Sequence, residues 1–222
     1  MIRLAVFASG EGTNLEAILA AIAAGRLDAE VAAVASDRPE CGAVARARRH
    51  GLPTWALCPS DFPDKAAYER ALAAAVTGRG EVDVAVLAGY MRIAGPVLRE
   101  TFPCMVNLHP SLLPCFPGRD AVAQALAAGV RVTGCTVHFV DEGVDTGPII
   151  AQRAVAVRPG DDAERLRARI QRAEHRLLPE VLSLFAQGRI RREGRRVEIL
   201  PRARAARPHG GAGGGGGWRE PS

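Results

Sequence analysis

Apolar runs of strand length alternate with segments of helical periodicity over the first 109 residues, and this alternation restricts the fold more than any other feature. The runs are nearly continuous, as is typical of strands buried on both faces of a sheet. The pattern predicts βαβ units, and therefore an α/β, Rossmann-like fold with a mostly parallel twisted sheet and flanking helices. The predicted strands are residues 2–9, 29–36, 52–57, 82–89 and 104–109, and the predicted helices are residues 14–25, 41–51, 64–76 and 96–102.

The pattern changes after residue 109, where two apolar runs are separated by a loop short enough for antiparallel pairing. The long helix that follows reaches Pro179, which predicts a kink or a new start there. The predicted elements are a helix over residues 119–129, strands over 131–141 and 147–157, a helix over 161–178 and a hairpin around Glu193 and Gly194 within 189–200. We therefore expect antiparallel strands in the C-terminal half of a single domain over residues 1–200.

Composition and charge exclude several classes of protein. Of the 222 residues, 48% are hydrophobic and 24% are charged, and no apolar run is long enough to span a membrane. The five scattered cysteines include no CxxC pair, which argues against a disulfide framework or a zinc site and predicts a cytoplasmic protein.

The net charge of +5 arises entirely from residue 190 onward, where eight arginines and three glutamates lie. The remaining residues balance 21 basic against 21 acidic side chains, so the body of the protein does not predict nucleic-acid binding. Residues 201–222 form a Gly- and Arg-rich tail that is expected to be flexible.

The stretch SGEGTN, residues 9–14, lies between the first predicted strand and the first helix. Its glycines allow backbone N–H groups to turn toward an anion, and a helix N-terminus favours negative charge. Because a third glycine and a GK[ST] sequence are both missing, a monophosphate fits this turn better than a dinucleotide or a nucleoside triphosphate. The alternative is a tight turn capped by Thr13 or Asn14.

Asn107 and His109 end a predicted central strand and point to the same side of it, because they are two residues apart. An amide and an imidazole together suit a reaction in which negative charge develops on a carbonyl oxygen and a proton moves near neutral pH. Asp145, in a later loop that contains glycines, could orient His109 or accept a proton, and His138 could support that loop or act directly. The alternative is that Asn107 and His109 only bind loop backbone.

Four motifs, SGEGTN, LAGYMRI, NLHPSLLPCFPG and GCTVHFVDEGVDTGPI, together resemble the phosphoribosylglycinamide formyltransferase family in order and spacing over about residues 1–200. The resemblance implies a formyltransferase fold and transfer of a formyl group from 10-formyltetrahydrofolate to the amine of glycinamide ribonucleotide, in purine biosynthesis. It also implies a phosphate- and nucleotide-binding half over residues 1–100 and a folate-binding, catalytic half over residues 101–200. Cys115 and the stretch from Arg119 to Asp120 depart from the family pattern.

The resemblance also implies roles for individual residues. Asn107, His109 and Asp145 are similar to the catalytic groups of the family, and His138 is expected to support them. The substrate-binding residues it implies are Gly12, Thr13, Asn14, Gln171 and Glu174, and the folate-binding residues are Lys65, Met91, Arg92, Ile93, Ala94, Asn107, Val140 and Asp141. The expected partners are small molecules, without a metal, nucleic acid or membrane, and the expected assembly is a monomer or a homodimer.

Four alternatives are considered beside this function. A formyltetrahydrofolate deformylase shares the histidine loop and the aspartate, but is expected to carry an N-terminal regulatory domain. A methionyl-tRNA formyltransferase is expected to differ at Pro117 and to carry a tRNA-binding C-terminal domain. A Cys–His hydrolase would need Cys115 to be activated. The last alternative is a non-catalytic role, either a phosphate-ligand sensor or a nucleic-acid binder that uses the arginine-rich tail.

Overall fold

The protein, described over residues 1–202 by a computed structural model, contains a seven-stranded sheet in the order β3-β2-β1-β4-β5-β6-β7. The first five strands in the chain pair in parallel, whereas β6 pairs antiparallel with both β5 and β7. The strands are β1 (Ile2–Phe7), β2 (Ala29–Ser36), β3 (Thr54–Ala56), β4 (Val84–Leu87), β5 (Met105–His109), β6 (Val132–Phe139) and β7 (Ile149–Ala156). This architecture confirms the predicted fold class.

Six α-helices and one short 3-10 helix (Pro59–Asp61) lie within the described residues, and a two-stranded hairpin follows the last α-helix. The α-helices are α1 (Thr13–Ala23), α2 (Gly42–Arg49), α3 (Lys65–Thr77), α4 (Pro96–Thr101), α5 (Ala121–Ala127) and α6 (Ala163–Ala186), and the hairpin strands are β8 (Ile190–Glu193) and β9 (Arg196–Ile199). The predicted hairpin around Gly194 is confirmed, with a positive φ of 58° at that glycine. The tail predicted to be flexible is residues 201–222. From residue 203 onward it lies outside the described residues.

The helices cover the sheet on both faces because successive side chains of each strand point in opposite directions. In β1, Leu4 and Val6 belong to a buried cluster with residues of α1 and α6, whereas Ala5 and Phe7 belong to a second cluster with residues of α3 and α4. Full burial of each large aliphatic side chain contributes about 1.5–3 kcal/mol to stability. The two clusters therefore hold the carboxyl ends of the central strands in place.

Of the two outcomes predicted at Pro179, a kink or a new start, the new start is wrong, because α6 is one helix of 24 residues that contains this proline. A proline inside a helix removes one backbone hydrogen bond and clashes with the preceding turn. Here the penalty is offset by packing, since Leu178, Val181 and Leu182 are buried on both sides of Pro179 against the sheet. Tertiary contacts thus override the local signal. Within residues 1–202, the helices are all too short or too polar to cross a membrane.

The strand order reverses at the centre of the sheet, where β2 lies on one side of β1 and β4 on the other. The chain segments that follow β1 and β4 therefore leave the same edge of the sheet next to each other. Ligands of open α/β sheets bind at such a switch point, beyond the carboxyl ends of the strands. The SGEGTN turn follows β1, and residues 88–95 follow β4, so the topology places both motifs at this edge.

Candidate active site

Asn107 and His109 occupy the end of β5 on the sheet face opposite to Val106 and Leu108, which belong to the cluster under α1 and α6. The antiparallel pairing with β6 places His138 opposite Asn107 and Thr136 opposite His109. His109 and His138 are buried, with 5% and 2% of their surface exposed. The alternation predicted from the sequence thus directs three polar side chains into one small volume.

Asp145 joins this group from the loop between β6 and β7. Its Oδ2 accepts a hydrogen bond from the Gly118 backbone N–H at 2.8 Å and lies 3.1 Å from His109 Nδ1, while its Oδ1 accepts from Asn107 Nδ2 at 3.1 Å. The backbone of Asp145 has a φ of 55°, in the left-handed region that aspartate tolerates better than most residues. The loop conformation therefore serves to direct the carboxylate at His109 and Asn107.

The surroundings of Asp145 favour its ionised form. Burial raises the pKa of this carboxyl, but the neighbouring His138, the Gly118 amide and the positive charge of His109 together lower the pKa by more. His109 lies between two acceptors, since its Nε2 is 2.8 Å from the Phe116 carbonyl oxygen and its Nδ1 faces Asp145. A ring with hydrogen on both nitrogens donates to both acceptors, so the geometry fits an imidazolium–carboxylate pair.

His138 holds Asn107 in place. Its Nδ1 donates to the Phe139 carbonyl oxygen at 2.8 Å, which leaves Nε2 of the neutral ring to accept from Asn107 Nδ2 at 3.2 Å. If the ring is protonated, Nε2 instead points a donor at Asp145 Oδ1, 3.5 Å away. Both amide hydrogens of Asn107 are thus directed at protein groups, one at His138 and one at Asp145.

Two groups in this cluster had not been predicted. Ser111 is fully buried, and its Oγ donates to the carbonyl oxygen of Cys115 at 2.5 Å and lies 3.4 Å from that of Phe116. Strand alternation gave no signal for it, because β5 ends at His109. The Gly118 N–H had no signal, since a backbone donor is not visible in a sequence. The Cys115 side chain is exposed, and His109 contacts Asp145 and Phe116 rather than a thiol, which argues against a Cys–His hydrolase.

The predicted substrate-binding residues meet at a second cluster, between the N-terminus of α1 and the middle of α6. Gln171 Nε2 donates to Thr13 Oγ1 at 2.8 Å, and Asn14 Nδ2 donates to Glu174 Oε2 at 3.2 Å. Gly12 adopts a left-handed conformation, with a φ of 76°, at the residue that precedes α1. Residues about 160 positions apart in sequence therefore form one polar surface beside the SGEGTN turn.

Two features of this cluster indicate that it can bind a polar ligand. Glu174 is buried, and this burial raises the pKa of its carboxyl, although the hydrogen bond from Asn14 acts in the opposite direction. Asn14 Oδ1 is buried, and among residues 1–202 it has no hydrogen-bond donor. Buried polar atoms are rarely left without a partner in native proteins. An oxygen acceptor of this kind is suited to a hydroxyl or N–H group of a ligand.

The predicted folate-binding residues other than Asn107 come from three segments: the start of α3, the residues after β4 and the residues after β6. Met91, Arg92 and Ile93 are exposed and Ala94 is buried, while Lys65 begins α3 and its Nζ lies 3.7 Å from Glu69. Val140 packs against the buried cluster that contains Tyr90 and Met105. The Asp141 side chain accepts hydrogen bonds from Gly143 N–H and Thr146 Oγ1, and so shapes the loop that carries Asp145.

The five cysteines are free in the structure. Within residues 1–202, no group of three or more His, Cys, Asp and Glu side chains is arranged to hold a metal ion. The contacts among Asn107, His109 and Asp145 support the chemistry of an acid, a base and hydrogen-bond donors, which is stabilisation of an oxyanion and transfer of a proton.

Comparison with known proteins agrees with this chemistry. Residues 2–182 match the formyl transferase family. The chain is 44% identical over 183 residues to the phosphoribosylglycinamide formyltransferase of Bacillus subtilis, an alignment that covers 82% of this chain and 93% of that protein. It is 46% identical over 204 residues to the phosphoribosylglycinamide formyltransferase of Mycobacterium tuberculosis, which covers 89% of this chain and 94% of that protein.

A solved structure shows the same fold. The crystal structure of glycinamide ribonucleotide transformylase 1 from Symbiobacterium toebii superposes with a TM-score of 0.88 at 50% sequence identity, and the match covers 90% of this chain and 95% of that one. The similarity therefore extends over most of the fold described above.

Proposed function

This chain belongs to the phosphoribosylglycinamide formyltransferases of the formyl transferase family, and from this premise we propose how it transfers a formyl group from 10-formyltetrahydrofolate to the amine of glycinamide ribonucleotide. The products are formylglycinamide ribonucleotide and tetrahydrofolate, and the reaction is a step of purine biosynthesis. The observation that carries the proposal is the contact of Asn107, His109 and Asp145 at one edge of the sheet.

The reaction begins when the neutral amine of glycinamide ribonucleotide attacks the formyl carbon. A new C–N bond forms, and the electron pair of the C=O bond moves to the oxygen, which becomes an oxyanion. Hydrogen-bond donors placed at such an oxygen stabilise the transition state, and the loss of one donor typically costs about 2.7–4 kcal/mol. His109 is the main donor in this proposal, because the Asp145 carboxylate stabilises its protonated ring.

Both candidate donors have protein partners in the structure, so binding of the formyl group requires an exchange. His109 Nε2 donates to the Phe116 carbonyl oxygen, and the Asn107 amide is directed at Asp145 and His138. The formyl oxygen would replace the Phe116 carbonyl at His109 Nε2 and one of the two partners of Asn107. The Phe116 carbonyl thus marks the place where an oxygen acceptor fits.

A proton must then leave the attacking nitrogen, and another must reach N10 of the folate before the C–N10 bond breaks. In our proposal Asp145 accepts the proton from the amine, directly or through water, and then gives a proton to N10, directly or through water, which restores its carboxylate before the C–N10 bond breaks. The electron pair of the broken bond goes to N10 and the C=O bond re-forms. No covalent bond to the protein is needed at any step.

The two ligands would bind on opposite sides of this cluster. The N–H groups of the turn that contains Gly12, Thr13 and Asn14 suit the substrate phosphate, since they lie at the N-terminus of α1. Glu174 and Gln171 suit its other polar groups, because their side chains adjoin the same turn. The folate would contact Lys65, the stretch from Met91 to Ala94, and the stretch from Val140 to Asp141.

Residues 1–100 would accordingly supply most of the phosphate side, and residues 101–200 most of the catalytic side. Each half also contributes to the other side of the site. Helix α6 of the second half contacts the phosphate turn, and residues 91–94 of the first half would contact the folate. We therefore treat the two halves as parts of one site on one sheet.

A single assay tests the function. The absorbance of the folate product is followed with purified protein and 10-formyltetrahydrofolate, first with glycinamide ribonucleotide and then without it. Turnover that depends on the amine is the expected result. Equal turnover without the amine would make the protein a deformylase, and no turnover in either case would contradict the proposal.

A further inference from the structure

Residues 90–95, which follow β4 and which we call the 90–95 loop, combine an exposed middle with buried ends. Met91 and Ile93 are 58% and 56% exposed, whereas Tyr90, Ala94 and Gly95 are buried. Exposed side chains on a loop are held at a fixed position for a ligand when hydrogen bonds fix the main chain of the loop. The hydrogen bonds to the main chain of the loop therefore decide whether Met91 and Ile93 are held in place.

The first end of the loop is held by a buried chain of hydrogen bonds that begins at Asp37. Ser9 Oγ donates to Asp37 Oδ1 at 2.5 Å, and the lone pairs of the same hydroxyl accept from the Met91 N–H at 2.8 Å. Ser9 and Asp37 are only 2% and 8% exposed. The carboxylate thus fixes the Ser9 hydroxyl in the orientation that leaves an acceptor for Met91.

The second end is held by Glu69, a carboxylate of α3 that is only 2% exposed. Glu69 Oε1 accepts from the Gly95 N–H at 2.7 Å and lies 3.7 Å from Lys65 Nζ. A Cβ atom at Gly95 would lie 2.5 Å from Glu69 Oε2, so the two residues fit together without space for a side chain. A buried charge is costly unless it is hydrogen-bonded, which makes the Gly95 amide its essential partner.

Two neighbouring side chains complete the attachment. Tyr68, next to Glu69 in α3, has its hydroxyl 2.9 Å from that of Tyr90, and Arg99 Nη1 donates to the Ala94 carbonyl oxygen at 2.8 Å. The main chain of the loop is thus bound at Met91, at Ala94 and at Gly95. Neither Asp37 nor Glu69 touches Asn107, His109 or Asp145, and the proposed reaction leaves both without a role.

We propose that Asp37 and Glu69 are positioning residues for the formyl donor, which hold the two ends of the 90–95 loop so that its exposed middle forms a rigid wall for the folate. This inference rests on the proposed function, because it takes the loop to be the folate-binding wall. The position of the carboxylate oxygen, rather than its charge, is the essential property at residue 69.

The test compares two variants of Glu69 that separate position from charge. Glu69→Gln retains an oxygen at the same distance from the main chain and removes the charge, whereas Glu69→Asp retains the charge and withdraws the oxygen by one methylene group. We expect Glu69→Asp to raise the KM for 10-formyltetrahydrofolate about tenfold and the KM for glycinamide ribonucleotide less than twofold. Glu69→Gln should change both values by less than threefold.

Amide hydrogen exchange gives a readout that needs no turnover. The Gly95 amide should exchange about tenfold faster in Glu69→Asp than in the wild-type protein, and at nearly the wild-type rate in Glu69→Gln. Asp37→Ala should accelerate exchange at Met91 in the same way and raise the KM for the folate. Asp161→Asn, a carboxylate variant away from the loop that loses its pair with Arg169, is the control and should change neither KM nor exchange at these amides.

Several results would overturn the proposal. They are a Glu69→Gln variant as impaired as Glu69→Asp, an equal rise of both KM values, or a change in melting temperature without a change in the folate KM. If the wild-type protein transfers no formyl group but binds tetrahydrofolate by calorimetry, only the proposed function fails, and titration of the two variants still decides the role of Glu69. If the wild-type protein does not bind tetrahydrofolate, the positioning role is wrong as well.

Discussion

Asp145 is the residue on which the proposed chemistry depends most, because one carboxylate is in contact with the Gly118 amide, Asn107 and His109. Its lowered pKa means that it is ionised at neutral pH and is available to stabilise a protonated His109. The same lowered pKa adds to stability. That contribution is present above the ordinary pKa of an aspartate and is lost as the pH falls through the lower value of the folded protein.

Asp145→Asn is expected to reduce kcat at least about 100-fold, the lower end of the 10²–10⁴-fold that a positioned general base typically contributes. The amide preserves the volume and tolerates the positive φ, but it cannot accept a proton. Its NH₂ group would face either the Gly118 N–H and His109 or the Asn107 amide, and each of these places requires an acceptor. Steady-state kinetics and a thermal melt measure the effect together. A kcat near the wild-type value would contradict the proton-transfer role, and loss of a cooperative melt would show a structural role instead.

Burial of Glu174 disfavours its ionised form and so raises the pKa of its carboxyl. The folded protein is therefore less stable when Glu174 is ionised than when it is protonated. The stability that depends on the protonated form is present at acidic pH and is lost as the pH rises through the raised pKa of the folded state. We therefore expect Glu174→Gln to be more stable than the wild type at pH 8, by on the order of 1 kcal/mol, or about 2–4 °C in Tm.

This gain should shrink as the pH falls and vanish below the ordinary pKa of a glutamate. Melts at several pH values between 4 and 8 test it, and Asp162→Asn, an exposed carboxylate at the start of α6, is a suitable comparison. A constant difference between Glu174→Gln and the wild type across this range would contradict the ionisation argument. The variant should also raise the KM for glycinamide ribonucleotide if Glu174 contacts that substrate.

At the scale of one element, the turn between β1 and α1 needs glycine at residue 12 for two independent reasons. The φ of 76° is unfavourable for other residues, and a Cβ atom there would lie 2.5 Å from the Ala43 Cα and 2.8 Å from its Cβ. The turn therefore depends on the close approach of α2 as well as on its own conformation. Only the first of these reasons is local.

Gly12→Ala should destabilise the protein by more than Gly25→Ala, which has a similar φ of 66° but open space around it. The left-handed conformation costs about 1–2 kcal/mol in either variant, and the overlap with Ala43 adds about 1–3 kcal/mol at residue 12. Chemical denaturation measures both values. Equal destabilisation of the two variants would show that α2 moves without cost.

The same substitution should weaken binding of glycinamide ribonucleotide more than binding of the folate, because residue 12 belongs to the proposed phosphate turn. Calorimetric titration with each ligand separates the two effects. An equal loss for both ligands would mean that the whole edge of the sheet is disturbed rather than the phosphate turn alone.

At the scale of the whole molecule, the candidate site is assembled from segments far apart in the chain. The hydrogen bonds from Gln171 to Thr13 and from Asn14 to Glu174 span 158 and 160 residues, and α6 must pack on the sheet before they can form. The two proposed halves therefore share one sheet and are expected to unfold together.

Removal of residues 203–222 is expected to leave kcat/KM for both substrates within about twofold. This segment contains seven glycines and a single large apolar side chain, Trp218, and none of the residues proposed for catalysis or ligand binding lies in it. Kinetics of the truncated and the full chain test this directly. A Tm lowered by several degrees would assign the segment a structural role, and loss of RNA binding at low salt would favour the nucleic-acid alternative.

The sequence by itself determined the order and type of the elements and the side chains that end the central strands. The reason is that hydrophobic periodicity and turn residues act locally, so the βαβ repeats, the antiparallel strands and the hairpin at Gly194 could be predicted. It also indicated Asn107, His109 and Asp145 as a candidate group. Periodicity alone does not specify how far apart those side chains lie.

Only the tertiary structure decided which groups contact one another. It placed the Gly118 amide on Asp145, the Phe116 carbonyl on His109, and the buried carboxylates of Asp37 and Glu69 at the ends of the 90–95 loop. It also kept α6 continuous through Pro179. These features depend on the packing of segments distant in sequence and on backbone groups that every residue carries, and neither leaves a distinctive pattern along the chain.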